Sequence, residues 1–107
     1  MSRIQKDFSE IANDTMLAVL DALDQYDIDD ILDASLDAEI IKINSPKGQF
    51  VLNKFNSFKQ IWLVSPLTGP YRFNYQDGMW IDRNSTNLAV LLTNELSQFV
   101  KQIKFNL

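Results

Sequence analysis

The chain has 107 residues, 46% of them hydrophobic and 11% aromatic, with a formal net charge of −4. This length and composition predict one globular domain spanning residues 1–107 and exclude a disordered chain. The absence of cysteine and histidine excludes disulfides, thiolate or imidazole metal ligands and Ser-His-Asp triads. Any metal must be held by oxygen, which suits hard ions such as magnesium, calcium, manganese and iron. No apolar run approaches the roughly 20 residues that a membrane helix needs, so we expect no membrane partner.

Charge is distributed unevenly along the chain. Residues 1–39 carry 11 of the 14 acidic residues and two bases, Arg3 and Lys6, which is a balance of −9. Residues 40–107 carry three acids and eight bases, a balance of +5. The acidic first third argues against nucleic acid as a partner, because its phosphates would be repelled.

The first predicted element is an amphipathic helix from Ile4 to about Asp27. At 100° per residue, one side of this helix is apolar and the roughly opposite side is acidic. The apolar side carries Phe8, Ile11, Ala12, Thr15, Val19, Ala22, Leu23 and Tyr26. The acidic side carries Asp7, Glu10, Asp14, Asp21 and Asp24.

Six short strand-like runs follow, separated by turn residues at the spacing of an antiparallel sheet. We expect strands at about Asp33–Leu36, Glu39–Asn44, Gln49–Lys54, Lys59–Ser65, Tyr71–Tyr75 and Met79–Asp82. Asp77 and Gly78 predict a type I′ hairpin turn, since both residue types accept a positive φ. The turn at Asp37 and Ala38 is a weaker signal, because alanine tolerates a positive φ poorly.

A second helix is predicted to start near Thr86 or Asn87, with apolar residues at three- and four-residue steps as far as Ile103. The element order α-β(6)-α indicates an α+β fold, a two-layer α/β sandwich. Its antiparallel sheet carries both terminal helices on one face and leaves the other face to solvent or a partner.

Like charges three and four residues apart destabilise the first helix, and no base interrupts residues 7–39. We interpret the helix acids and the adjoining Asp29, Asp30 and Asp33 as a cation-attracting ridge with weak, exposed sites. The spacing fits neither an EF-hand loop nor a Glu-x-x-His diiron motif. The ridge could equally meet a basic protein surface, and the alternative is a solvated acidic surface without any partner.

Alternation along the middle strands predicts which side chains lie on the open sheet face. Those residues are Asn53, Gln60, Trp62, Arg72 and Asn74, flanked by Phe55 and Phe58. Exposed tryptophan and arginine are typical of protein–protein hot spots. The alternative is that a loop or the C-terminal tail covers Trp62. Trp80, between Met79 and Ile81, is predicted to be a core residue.

The sequence offers little support for catalysis, because it has no visible nucleophile–base pair and no glycine-rich phosphate loop. We therefore expect a binding protein and not a conventional enzyme.

The blocks Phe50-Val51-Leu52-Asn53-Lys54 and Lys59–Pro70, which includes Gln60-Ile61-Trp62-Leu63, resemble the signature of the frataxin family. The resemblance extends from Phe8 to about Val100 and includes the acidic helix, Trp80 and the second helix. Many frataxins have glutamine where this chain has the aromatic Phe55, which changes the edge of the exposed patch.

The resemblance implies weak binding of ferrous and ferric iron on carboxylates of the first helix and first strand. The matching positions are Asp14, Asp21, Asp24, Asp27, Asp29, Asp30 and Asp33, and Glu10 extends the set along the helix. It also implies docking onto the cysteine desulfurase and iron–sulfur scaffold protein through Asn53, Gln60, Trp62 and Arg72. We add Phe55, at the edge of this patch, to the expected docking residues.

The expected function is that of an iron-binding regulator or iron donor in iron–sulfur cluster assembly. The rival hypotheses are ferroxidase or iron-storage activity on the acidic surface, and a metal-independent adaptor that binds a basic protein. We expect a mostly monomeric protein with possible iron-dependent oligomers. We expect it in the bacterial cytoplasm or, after removal of a presequence, in the mitochondrial matrix.

Overall fold

The computed structural model describes residues 7–107, which form two helices and six strands. The helices are α1 (Phe8–Tyr26) and α2 (Leu88–Leu96). The strands are β1 (Asp33–Asp37), β2 (Ile40–Ser45), β3 (Gly48–Phe55), β4 (Gln60–Ser65), β5 (Gly69–Gln76) and β6 (Met79–Ile81). The predicted helix start at Ile4 lies outside the described residues.

The six strands form one antiparallel sheet in sequence order, from β1 at one edge to β6 at the other. Each connection is short, so neighbouring strands along the chain are also neighbours in space. Helices α1 and α2 bury their apolar sides against the same face of this sheet. The predicted α+β sandwich of α-β(6)-α order is therefore confirmed.

The core lies between the helices and one sheet face, where alternate strand residues point inward. Its large, fully buried members include Val19, Ile41, Ile43, Phe50, Leu52, Ile61, Leu63, Phe73, Trp80, Leu88, Leu92 and Leu96. Trp80 is 1% exposed, as predicted, and its indole N–H donates a 2.8 Å hydrogen bond to the Thr15 hydroxyl. The bond gives the buried indole N–H of Trp80 a partner within the core.

Side-chain caps fix where both helices begin. Asp7 Oδ1 accepts a 3.0 Å hydrogen bond from the Glu10 N–H at the start of α1. Asn87, one of the predicted caps, accepts hydrogen bonds from the N–H groups of Ala89 and Val90.

Neither helix within residues 7–107 combines the length and the apolar content that crossing a bilayer requires.

The second helix is shorter than its apolar periodicity suggests. The repeat was expected to continue to Ile103, but α2 ends at Leu96. Beyond that residue, the Phe99 N–H bonds the Leu96 carbonyl and the Ile103 N–H bonds the Val100 carbonyl, both three residues back. Three-residue turns satisfy the same apolar spacing as a helix, which is why the pattern could not distinguish them. They return Ile103 and Phe105 to the core.

The predicted strand bounds differ from the observed ones by one or two residues at several ends. The hairpin turn at Asp77 and Gly78 has φ values of 50° and 79°, as expected for a type I′ turn. The first hairpin turn lies at Ala38 and Glu39, one residue later than predicted, because Asp37 pairs with Ile40. Ala38 takes a φ of 56°, a strained conformation for alanine.

Candidate functional site

The helix part of the acidic ridge lies on the solvent side of α1. Glu10, Asp14, Asp21 and Asp24 are all exposed there. The two ends of this row face different surroundings. Asp14 borders a hollow that also includes Tyr75 and the C-terminal Leu107, whereas Asp21 and Asp24 border the start of β1.

Five of the predicted iron-binding residues line one shallow groove between the end of α1 and the start of β1. These residues are Asp21, Asp24, Asp27, Asp30 and Asp33. The groove has a volume of about 370 Å³, and its apolar wall comes from leucine side chains of α1 and of the connecting loop. Glu10, Asp14 and Asp29 are not part of it, and Asp29 instead borders a second groove that contains Phe99 and Lys101.

Asp27 differs from the other acids because it is 7% exposed and both of its carboxylate oxygens hold the backbone. Oδ1 accepts a 2.8 Å hydrogen bond from the Ile31 N–H, and Oδ2 accepts a 2.7 Å hydrogen bond from the Leu32 N–H. Asp27 therefore shapes the loop that carries Asp29 and Asp30. This role of Asp27 is structural. That Asp27 also binds iron directly stays a prediction.

Within residues 7–107, no three acidic side chains converge closely enough to hold a metal ion by themselves. The carboxylates are spread around the groove and open to solvent. Water screens the attraction between such exposed charges and a cation. The arrangement can concentrate cations and offer one or two carboxylates at a time, with water completing the coordination.

The open face of the sheet brings the predicted docking residues together. In the strand register, Trp62 on β4 lies opposite Asn53 on β3 and Arg72 on β5. The guanidinium carbon of Arg72 lies 4.4 Å from the centre of the Trp62 ring, which is a cation–π contact. The Trp62 indole N–H donates a 2.8 Å hydrogen bond to Gln60 Oε1.

The amide of Gln60 is itself held in place, because its Nε2 donates a 3.2 Å hydrogen bond to Asn74 Oδ1. Two phenylalanines complete the surface. The ring centre of Phe55 lies 4.1 Å from that of Trp62, and Phe58 stacks on Trp62 at 5.7 Å. We call Phe55, Phe58, Gln60, Trp62 and Arg72 the aromatic patch.

Trp62 remains partly exposed between its neighbours on the open face of the sheet. The expected alternative is that a loop or the C-terminal tail covers Trp62. The tail does not, because its residues Ile103 and Phe105 are buried in the core, but Phe58 of the turn after β3 stacks on Trp62 and covers it in part. Phe58 remains 60% exposed, so the patch presents an aromatic surface to solvent.

Sequence reasoning did not single out Lys54, which is 6% exposed. Its ammonium group donates hydrogen bonds to Asn13 Oδ1 at 2.9 Å and to Ser9 Oγ at 3.3 Å. It also lies 3.4 Å from Glu39 Oε1. The available signal was the strand alternation, which puts Lys54 on the same inward face as Phe50 and Leu52.

The antiparallel sheet, the acidic helix and the Trp62-centred open face define a small binding domain of the frataxin type. Residues 1–102 match the Frataxin-like domain family. The chain belongs to this family, as its signature blocks predicted.

Individual relatives agree with this assignment. The mitochondrial frataxin homolog of Saccharomyces cerevisiae is 36% identical over 100 residues, which cover 89% of this chain. The match spans 58% of that relative's length.

Solved structures share the fold. Trimeric yeast frataxin complexed with ferrous iron has a TM-score of 0.78 and 33% identity, covering 95% of this chain and 92% of that one. Frataxin from Psychromonas ingrahamii has the same TM-score at 16% identity, covering 92% of each chain, and supports the fold alone.

Proposed function

We propose that this protein is an iron-binding regulator or iron donor of iron–sulfur cluster assembly. In this proposal it carries iron weakly on the acidic ridge and docks onto the cysteine desulfurase–scaffold complex through the aromatic patch. The observation that carries the proposal is the separation of the two surfaces. The helix acids lie in the helix layer and the patch lies on the open face of the sheet, so one molecule can carry a cation and hold a partner simultaneously.

The chemistry of the groove supports iron as a loosely held cargo. Carboxylate oxygens suit hard cations, and the chain has no cysteine thiolate or histidine imidazole that would favour zinc. Open, water-screened carboxylates release an ion readily, which fits delivery better than storage. The yeast frataxin that is complexed with ferrous iron is 33% identical to this chain, which also supports iron.

The geometry of the patch supports a docking role. Gln60 and Arg72 hold the Trp62 ring from two directions, so little side-chain freedom is lost when a partner binds. Such fixed aromatic and arginine side chains are the residues that dominate binding energies at protein interfaces. The ridge adds a long-range field that steers basic surfaces toward the protein.

Iron binding is tested by an anaerobic amide NMR titration with ferrous iron. We expect selective broadening of signals from residues 14–33, weakened by Asp21→Asn and by Asp24→Asn. The control is Asp77→Asn, which removes one charge from an exposed turn outside the groove and should leave the broadening unchanged. The absence of broadening at millimolar iron, or equal losses in all three variants, would refute the iron-binding half of the proposal.

Docking is tested separately, by measuring the affinity for a purified cysteine desulfurase–scaffold complex. We expect Trp62→Ala to weaken binding about 30-fold, the loss typical of a central aromatic anchor. Val64→Ala is the matched control, because Val64 is 50% exposed two residues along the same strand face. Equal affinities of the two variants would remove the patch from the docking surface.

The main alternative is an acidic adaptor that needs no metal. It is favoured by the lack of three converging acidic side chains among residues 7–107. Desulfurase binding that persists unchanged after complete chelation, together with a failed iron titration, would establish it.

Sedimentation with and without ferrous iron in the same samples tests the expected monomer and its iron-dependent oligomers.

A further inference from the structure

A third groove, distinct from the acidic groove and from the one that Asp29 borders, lies beside the aromatic patch. It runs between β5 and the segment that follows β6 and has a volume of about 530 Å³. Its lining mixes polar and apolar surface: Arg72, Arg83 and the amides of Gln60, Asn74 and Asn84 lie on it beside Pro70 and Tyr71. Sequence reasoning did not single out Arg83.

Within the described part of the chain, the guanidinium groups of Arg72 and Arg83 have unused N–H donors. Among residues 7–107, Arg72 has its cation–π contact with Trp62 but no hydrogen bond or ion pair, and Arg83 has no polar partner. The acid in this groove, Asp82, is already engaged, because its Oδ1 accepts hydrogen bonds from the N–H groups of Asn84 and Thr86. Two planar forks of N–H donors therefore face the groove, and each suits the two oxygens of a carboxylate.

We propose that this groove recognises an acidic polypeptide segment of a partner protein, with Arg72 and Arg83 each pairing with a carboxylate side chain. The inference rests on the proposed function and deepens it, because it specifies the chemistry of the partner that docks beside Trp62. Charge distribution favours this occupant. The groove itself is lined by two arginines and one acid, Asp82, so its formal charge is positive. An acidic segment is thus attracted to this groove and repelled by the acidic ridge.

The probe is a fluorescein-labelled hexaglutamate peptide, and the readout is fluorescence anisotropy with the full chain at low salt. We expect Arg83→Gln to weaken binding about fivefold, as loss of one charge-assisted contact at a surface does. Lys101→Gln is the control, because it removes the same charge from an exposed position that borders a different groove. It should change binding by less than about twofold. Amide shifts should fall on residues 70–74 and 82–84.

Three outcomes would overturn the inference. Arg83→Gln and Lys101→Gln could weaken peptide binding equally, which would mean that the peptide is attracted only by the net charge of the protein. The amide shifts could fall elsewhere. Finally, Arg83→Gln could alter the sedimentation of the protein alone and leave peptide binding unchanged, which would make the groove an interface between copies of this chain. Ferrous-iron broadening of residues 14–33 should be unaffected in Arg83→Gln, so failure here is distinguishable from failure of the iron-binding proposal.

Discussion

The ammonium group of Lys54 donates a 2.9 Å hydrogen bond to Oδ1 of Asn13, and this contact joins β3 to the acidic helix α1. Lys54 lies between Asn53 and Phe55, whose side chains point to the opposite, open face of the same strand. One short stretch of β3 therefore supports the open face on one side and anchors the helix on the other.

Replacing Lys54 by methionine should destabilise the protein by about 1–3 kcal/mol, the cost of losing buried hydrogen bonds while keeping the apolar stem. Lys42→Met is the matched control, because Lys42 is exposed on the neighbouring strand β2, and its cost should stay within about 0.5 kcal/mol. Urea unfolding of both variants measures the difference. Equal stabilities would show that the Lys54 contacts contribute nothing to the free energy of unfolding.

Asp27→Asn and Asp24→Asn remove the same charge one helical turn apart, but we expect opposite effects on stability. Asparagine at position 27 would place an amide donor against the N–H of Ile31 or Leu32, which should cost about 1–3 kcal/mol. At the exposed position 24, losing a negative charge near the helix C-terminus should be neutral or stabilise by up to about 0.5 kcal/mol. Thermal unfolding distinguishes the two, and a destabilised Asp24→Asn would contradict this account.

The buried carboxylate of Glu95 fastens α2 to the turn after β4. Ser65 Oγ donates to Glu95 Oε1 at 2.5 Å, and Thr68 Oγ1 donates to Glu95 Oε2 at 2.7 Å. Ser65 Oγ also accepts hydrogen bonds from the N–H groups of Leu67 and Thr68. The three side chains thus form one network that fixes the turn.

Because these groups share one network, Ser65→Ala and Glu95→Gln should not be additive. A double-mutant cycle in urea should give a coupling energy of about 1 kcal/mol or more. Ser57→Ala, at an exposed turn position, provides the control cycle with Glu95→Gln and should give a coupling near zero. A similar value in both cycles would show that the Ser65–Glu95 contact is not specific.

At Gly48, both the backbone conformation and a neighbouring residue disfavour a side chain. The φ of Gly48 is 130°, and a Cβ atom there would lie 2.7 Å from Pro66 Cβ. Gly78 also has a positive φ, 79°, but a Cβ there meets nothing within 4 Å. Gly48→Ala should therefore cost more than Gly78→Ala, by about 1–3 kcal/mol, because it adds overpacking and a more strained φ. Chemical denaturation of the two variants measures this difference, and equal losses would contradict both causes.

Much of the fold followed from local patterns along the sequence. Period-two alternation assigned Trp62 and Arg72 to the open face and Ile61 and Leu63 to the core, because successive strand side chains point to opposite faces whatever lies around them. The acidic helix face and the Asp77-Gly78 turn are equally local. The end of α2 at Leu96 was not predictable in this way, since helices and three-residue turns share the same apolar spacing.

Composition, strand alternation and the signature block at residues 59–70 thus determined the family, the layer order and the two candidate surfaces. Only the tertiary structure decided that Asp27 is buried and accepts hydrogen bonds from backbone N–H groups, that Lys54 anchors the helix, and that Arg83 shares a groove with Arg72. A side chain's face is a local property of its own strand or helix. Whether a charged group is buried, paired or left with free donors depends on which residues the fold brings beside it, often from far along the chain.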